Sequence, residues 1–598
     1  NCPSGVAPGW QTYLILAQGG TFMNILFIFL GGSIILFIAY KTYGTFISKK
    51  VYELDDSHTM PSVELEDGLD YVPTDAKFLA GQHFSAIAAA GPVTGPILAG
   101  AAFGWVPTLL WILGGTIFIG GVHDMGALVA SIRNKGRSIT ETVRVHVSKR
   151  AWIGFNIFIY VALIFIIVAF TDITASAFVN QIEIGEGVFV GGGAIATSSL
   201  IYLALPIIMG ILLRYTKLSL LWATIIFLPL VGVAIWVGQF IPLNIPAIGN
   251  FTPAQIWDIL ILLYCLIAAV VPVWALLQPR GHLGGYFMYA SILVAFIGIL
   301  FGGFEATFPA FKGMGTAANP LFPMLFITVA CGACSGFHSL IGSGTTSKQL
   351  KKESDAKPIG YGMMLLESVV AIIALSTVMI LAGDSELLKK SPNFIYASGL
   401  GSFMGLLGIP KSFGIAFGLM AFTTFVYDTL DICTRLGRFI ITELTGWKGK
   451  WGRLFAAGIT AIIPGIMFLI KLTGPDGKPV AAWSIFWKTF GSSNQLLAGL
   501  ALIGITVWLM NTAKNKKAWL FTLIPAIFMF VMSSWALIVM FRNYTIVDGV
   551  FTWPNNPNMI IPITCLIYLG LAVWMAIESA IVISKKVKGT AALPETAE

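Results

Sequence analysis

Apolar residues in this chain come in long blocks, each near the ~20 residues that a helix needs to cross a bilayer. They do not alternate as in a half-buried strand or form the one-sided stripe of a soluble helix. By that ruler about fifteen spans are expected: 22–40, 78–101, 105–131, 152–176, 194–213, 218–240, 255–277, 284–303, 320–343, 358–382, 411–434, 453–471, 484–510, 518–541 and 558–584. The pattern predicts an all-α, polytopic membrane protein.

The polar positions between the blocks are strongly basic on one side. Arg133, Lys135, Arg137, Arg144, Lys149 and Arg150 form one group; Lys348, Lys351, Lys352 and Lys357 another; Arg435, Arg438, Lys448, Lys450 and Arg453 a third. The positive-inside rule then places the N-terminus of an inner-membrane protein outside and its C-terminus in the cytoplasm. On that basis 41–77 is a solvated, partly ordered cytoplasmic loop, and 383–410 is an outer segment lying on the membrane or acting as a lid. The first span is too long for a signal-peptide core and is followed by lysines, so it is expected to be retained. The chain does not begin with Met, so a few leading residues are expected to be missing.

Composition agrees with lipid as the main solvent. Hydrophobic residues make up 57% of the 598 positions and charged residues 11%, against about 25% charged in soluble domains. No basic patch interleaved with aromatics suggests nucleic acid. The six cysteines are scattered, Cys2 apart from the spans, and Cys331 and Cys334 read best as small packing residues. No metal or cofactor motif is apparent; the one ion that the pattern would suit is sodium. The composition points away from an enzyme.

Chemistry is expected where spans are interrupted. In the second span Pro92 and Pro96 each remove an N–H, which frees the carbonyl of Ala88, and Gly91 and Gly95 permit unusual angles. If the helix restarts at Pro92, the N–H groups of Val93, Thr94 and Gly95 suit a carboxylate. A plain proline kink is the competing reading. Pro272, near Trp274 in the seventh span, is expected to free the carbonyl of Ala268 and make a second break. In the ninth span Thr328, Cys331, Ser335, His338 and Ser339 share one helical face. Ser335 and Ser339 with the Ala88 carbonyl would suit sodium. His83, His338, Asp124, Glu367 and Asp428 are intramembrane titratable groups and so candidates for proton coupling. Asp431 is expected to pair with Arg435, one turn later. Asn494 and Gln495 are weaker candidates.

Several of these stretches resemble the carbon starvation protein A family of bacterial peptide and pyruvate transporters. They are Asp67-Gly68-Leu69-Asp70-Tyr71-Val72-Pro73-Thr74-Asp75, the His83…Gly91-Pro92…Gly95-Pro96 segment, Gly136-Arg137-Ser138 and Val271-Pro272-Val273-Trp274…Pro279-Arg280. Ala330-Cys331-Gly332…Ser335-Gly336-Phe337-His338…Ser343-Gly344-Thr345-Thr346 and Thr429-Leu430-Asp431 complete the set. The resemblance covers about 40–510; enteric members are longer. It implies a relative of the amino-acid–polyamine–cation superfamily, with two inverted five-helix repeats, spans 2–6 and 7–11. Spans 2 and 7 would be the broken ones, and span 9 would complete a cation site with span 2.

The expected organisation is 1–77 as outer N-terminus, first helix and loop, 78–434 as inverted-repeat core, and 435–598 as further helices and tail. The expected function is secondary active import of peptides or a small monocarboxylate such as pyruvate, coupled to protons or sodium and linked to carbon starvation. Substrate contacts are expected at Ala88, Gly91, Pro92, Val93, Thr94, Gly95, Pro272 and Trp274. Two other classes remain: a membrane metal or redox protein using His83, His123 and His338, and a transporter-like nutrient sensor. Oligomeric state stays open.

Overall fold

The structure is a computed structural model. It describes residues 23–588, apart from Leu69, 185–186, Lys448, Lys471, 474–479, 548–549, Thr552 and 554–557. Cys2, the N-terminus and the tail after Lys588 therefore lie outside the described residues.

In lipid every backbone N–H and C=O must find a partner within the protein, so the apolar blocks become helices. They are α1 (Ile25–Val51), the pair α2 (Ala76–Ile87) and α3 (Gly91–Phe103), α4 (Trp105–Ile132), the short α5 (Ile139–His146), α6 (Lys149–Val179), α7 (Gly193–Tyr215), α8 (Leu220–Phe240), α9 (Pro253–Val270) and α10 (Leu277–Phe301). Three short pieces follow, α11 (Leu321–Thr328), α12 (Ala330–Ala333) and α13 (Phe337–Gly344). Then come α14 (Glu353–Met379), α15 (Pro392–Gly405), α16 (Lys411–Thr445), α17 (Gly449–Phe468), α18 (Ala482–Thr512), α19 (Leu520–Thr545) and α20 (Ile560–Lys586). Among the described residues 13 helices are long and apolar enough to cross a membrane, 14 if α2 and α3 count as one bent span. Side-chain caps start several of them: Asp75 accepts from Lys77 N at α2, Ser148 from Ala151 N at α6, and Thr252 makes a capping box with Gln255 at α9. Among the described residues three two-stranded hairpins sit in connections, such as Gln181–Glu183 against Phe189–Gly191.

The element order repeats. A broken helix (α2/α3) is followed by α4, which contains a π-helical turn at Thr116–Gly120, and then by the 31-residue α6. A second broken helix (α11–α13) is followed by α14, with a π-helical turn at Lys357–Gly362, and, after α15, by the 35-residue α16. The two series enter from opposite faces. α2 begins beside the Lys348 segment, where Thr74 N donates to Gln349 O. α11 begins after the 305–312 stretch, which is tied to the far ends of α3 and α14 through Lys312 N to Phe103 O and Thr307 N to Met379 O. This is the inverted-repeat arrangement, and α6 packs directly on α16.

Four sequence expectations change here. The ninth span is not one helix: its Gly- and Ser-rich centre turns at Val329 and runs extended at Cys334, so its polar residues do not form a single stripe. Pro272 does not interrupt a span; it lies in the connection between α9 and α10. The second break is therefore at 329–336, two spans later than expected. The 383–410 region carries α15, whose residues are mostly buried against α16, so it is an inserted element and not a surface one. The boundary drawn at 434/435 falls inside α16.

The loop after α1 is strapped to the basic face. His58 Nδ1 lies 2.5 Å from Glu353 Oε2, Arg133 Nε donates to Glu353 Oε1 at 2.7 Å, and Asp56 accepts from Ser354 N at 2.8 Å. Tyr71 Oη donates to the Lys135 carbonyl at 3.1 Å.

Candidate functional site

The first break occupies Ala88–Ala90, and the axis bends there by 48°. Ala88 takes a tight-turn geometry (φ −77°, ψ 61°), and Ala89 N donates to Ile87 O at 2.8 Å. Pro92 has no N–H for the Ala88 carbonyl, which receives no hydrogen bond among the described residues. α3 restarts at Gly91. The N–H groups of Val93 and Thr94 are taken by the Ala90 carbonyl, at 3.2 and 2.9 Å, so in this conformation they do not point into an open break. Thr94 Oγ1 is buried without a partner.

The two breaks pack on each other. A Cβ at Gly91 would collide with the Cys331 side chain, and one at Gly95 would come within 2.5 Å of the Thr328 carbonyl. Glycine is needed at Gly95 for the close approach of two backbones and at Gly91 to clear the Cys331 side chain. α18 satisfies the polar groups that the second break frees. Asn494 Oδ1 accepts from Phe337 N at 3.0 Å, its carbonyl accepts from Gly336 N at 3.1 Å, and its Nδ2 donates to Ser335 Oγ at 3.1 Å and to Cys331 Sγ at 3.3 Å. Gln495 Nε2 donates to Phe326 O at 2.5 Å. Ser339 is turned back onto the Gly336 carbonyl at 2.6 Å.

Beside the breaks lies a cluster of titratable groups, all buried. Asp124 on α4 is shared by two imidazoles: its Oδ2 is 2.7 Å from His338 Nδ1, and its Oδ1 is 2.7 Å from His123 Nδ1. The other nitrogen of His338 faces Glu367 Oε2 on α14, 3.3 Å away. Among the described residues neither Glu367 oxygen makes a hydrogen bond, and the Nε2 atoms of His83 and His123 have none either. His83 Nδ1 is 2.8 Å from Thr346 Oγ1. The fold thus brings together His83, Asp124, His338 and Glu367, drawn from α2, α4, α13 and α14. The three histidines do not converge as ligands: no group of three or more His, Cys, Asp or Glu is placed to hold a metal ion among the described residues.

Asp428 is elsewhere. Its Oδ1 accepts from Arg280 Nε at 2.9 Å. Arg280 also pairs through Nη1 with Asp431 and with the Tyr264 hydroxyl, and Tyr264 Oη is 3.0 Å from Asp431 Oδ2. The expected Asp431–Arg435 pair is not made. Arg435 caps the end of α9, donating through Nη2 to the Ala268 carbonyl at 2.9 Å and the Val271 carbonyl at 2.8 Å. Pro272 does free the Ala268 carbonyl, and Arg435 fills the vacancy. Arg280 was not among the expected site residues because its span was drawn from 284, which left it in a connection; its one signal was the Pro279-Arg280 stretch of the family resemblance.

A vestibule of about 1320 Å³ enters from the basic face between the two repeats. α2 contributes Lys77, Phe78, Gly81 and Gln82; α13 Leu340, Ser343 and Gly344; α10 His282, Gly285, Tyr286 and Tyr289; α16 Ile432, Arg435 and Glu443. Trp274 lines it, whereas Ala88, Gly91, Pro92, Val93, Thr94, Gly95 and Pro272 do not. It stops at Gln82, six residues or about 9 Å of helix short of the break, with the His83 cluster behind its end wall.

Two discontinuous helices, one heading each inverted repeat, with a vestibule open to one face, define a multi-pass membrane protein of the inverted-repeat transporter class. A manganese transporter from Eremococcus coleocola, solved with an aromatic bis-isothiourea compound, shares this fold with a TM-score of 0.50 at 13% identity, over 87% of this chain and 99% of that one. The chain matches the family described as "Carbon starvation protein CstA" over residues 24–395 and 381–536, and it belongs to that family. Among its relatives, the "Peptide transporter CstA" of Bacillus subtilis (strain 168) is 32% identical over 89% of this chain and 94% of its own length. The "Pyruvate/proton symporter BtsT" of Escherichia coli (strain K12) is 30% identical over 93% of this chain and 85% of its own.

Proposed function

We propose that this chain imports peptides or a small monocarboxylate such as pyruvate by proton symport, across a bacterial inner membrane, with its N-terminus outside and its C-terminus in the cytoplasm. The family supports import, since one relative is named for peptides and another for pyruvate with a proton. The basic loops around the vestibule mouth favour that face as cytoplasmic, so the conformation described is inward-open. The observation that carries the proton is the buried cluster of His83, Asp124, His338 and Glu367. A carboxylate with neither oxygen hydrogen-bonded is costly in an apolar interior when charged. A proton held between Glu367 and His338 removes that cost. Proton transfer would thereby bias how the two broken helices pack, which is the element that alternating access must move. Sodium is less well served, because Ser335 and Ser339 are engaged with Asn494 and the Gly336 carbonyl.

Uptake into proteoliposomes tests this reading. Labelled dialanine and labelled pyruvate are each offered with an acid-outside pH gradient, with an inward sodium gradient, or with neither. The expected result is accumulation of at least one solute that follows the pH gradient and ignores sodium. Accumulation that follows sodium alone, or none under any gradient, contradicts it.

A further inference from the structure

We propose that the pocket between the end of α16 and the start of α17 binds the phosphate of an anionic phospholipid headgroup. The inference does not depend on which solute the chain carries.

The cavity comes first. About 250 Å³ of space is lined by Arg438, Phe439 and Thr442 from α16, Trp447 from the turn, and Gly449 and Arg453 from α17. That is several times the ~30 Å³ share of one water, enough for a phosphate with a few waters. A Cβ at Gly437 would lie 2.6 Å from Thr460 Cγ2, so the two helices pack closely next to Arg438.

The charge follows. Arg438 keeps 7% of its surface accessible, and its Nε is buried without a partner. The arginine ion pairs among the described residues are those of Arg133, Arg137, Arg144 and Arg280, so neither Arg438 nor Arg453 has one. The charges that act on Arg438 are those of Arg435 and Arg453, both of its own sign. Arg435 is engaged with the Ala268 and Val271 carbonyls. Glu443, the one carboxylate between Arg435 and Thr445, lines the vestibule, where Glu141 and Arg144 act on it. A buried guanidinium without an acceptor is costly, and a bound anion removes that cost. A phosphate diester supplies acceptor oxygens in the geometry that a guanidinium fork matches. α17 begins at Gly449, in the lining, so the positive end of its dipole adds to the same field.

The surroundings favour a lipid as the source of the phosphate. Trp451, Leu454 and Phe455, beside Arg453 on α17, are exposed, as are Phe439 and Trp447 in the lining itself. Tryptophans beside basic residues at the end of a span mark headgroup depth, and the apolar surface around them takes acyl chains.

Calorimetric titration of the delipidated full-length chain in uncharged detergent tests the site. The probes are dihexanoyl-phosphatidylglycerol, dihexanoyl-phosphatidylcholine and inorganic phosphate. Wild type is expected to bind the anionic lipid at least about tenfold more tightly than either other probe. Arg438→Gln and Arg453→Gln are each expected to weaken it about tenfold. Lys450→Gln, which removes an equal charge from α17 outside the pocket lining, is expected to leave it unchanged. Equal affinity for the two lipids, unchanged affinity in the folded arginine variants, or an equal loss in Lys450→Gln overturns the proposal. Inorganic phosphate binding as tightly as the anionic lipid overturns the lipid source. Arg453 is exposed, so its variant keeps the test decisive if Arg438→Gln fails to fold.

Discussion

At Glu367 an apolar interior meets a carboxylate with no hydrogen bond to either oxygen and one imidazole 3.3 Å away. Glu367, Asp124, His83 and His338 were all visible in the sequence as titratable residues inside apolar blocks, because such residues are costly there and persist for a reason. Their grouping was not visible, since they sit on four helices whose mutual packing no local pattern encodes. Asp428 shows the same limit: its partner Arg280 lies 148 positions away on another helix. A residue outside the spans gives a separate, acid-sensitive readout. His146, at the end of α5, is 2.9 Å from Asn511 Nδ2, and burial, with the Lys586 charge as the smaller cause, holds its pKa down to about 4. The unfolded chain, with an ordinary value of about 6.5, takes up that proton first. Stability from this site is therefore complete above about pH 6.5 and is lost as pH falls toward 4. The melting temperature of the purified protein is expected to drop across that window, and His146→Asn to drop less. Equal drops would assign the acid sensitivity to other groups.

The broken helices hold their shape because the groups they free are answered by other elements. Asn494 is the main answer at the second break, through contacts to Phe337, Gly336, Ser335 and Cys331. Asn494→Ala leaves the Phe337 N–H unpaired in the core and is expected to destabilise by about 1–3 kcal/mol. Gly95→Ala presses a methyl onto the Thr328 carbonyl, with a similar expected cost of about 1–3 kcal/mol from overpacking. Thermal melting in detergent checks both; no change in either variant would mean that the breaks do not rest on α18 and on each other. The first break was legible because Pro92 and Pro96 carry a local signal. The second was misplaced because Pro272 carries the same signal where a span merely ends, while 329–336 opens with no proline at its centre. There the cause is tertiary: glycine contacts and side chains of α18 outweigh helix propensity, and neither can be read from the segment itself.

Across the whole molecule, the long apolar blocks were enough to give a polytopic helical protein. The order of broken helix, π-turned helix and long helix in each half came from the structure, with the second break two spans later than the resemblance implies. The vestibule lies between those halves and ends about 9 Å below the first break, with the His83–Asp124–His338–Glu367 cluster behind its end wall. On the proposed reading, a proton exchanged there acts on both breaks at once. The most direct test compares wild type and Glu367→Gln in proteoliposomes, measuring accumulation driven by a pH gradient and, separately, exchange of labelled for unlabelled solute with no gradient. The account predicts that Glu367→Gln loses gradient-driven accumulation by about a hundredfold, the scale of a lost proton-transfer group, while exchange continues. Full gradient-driven accumulation in Glu367→Gln would contradict it.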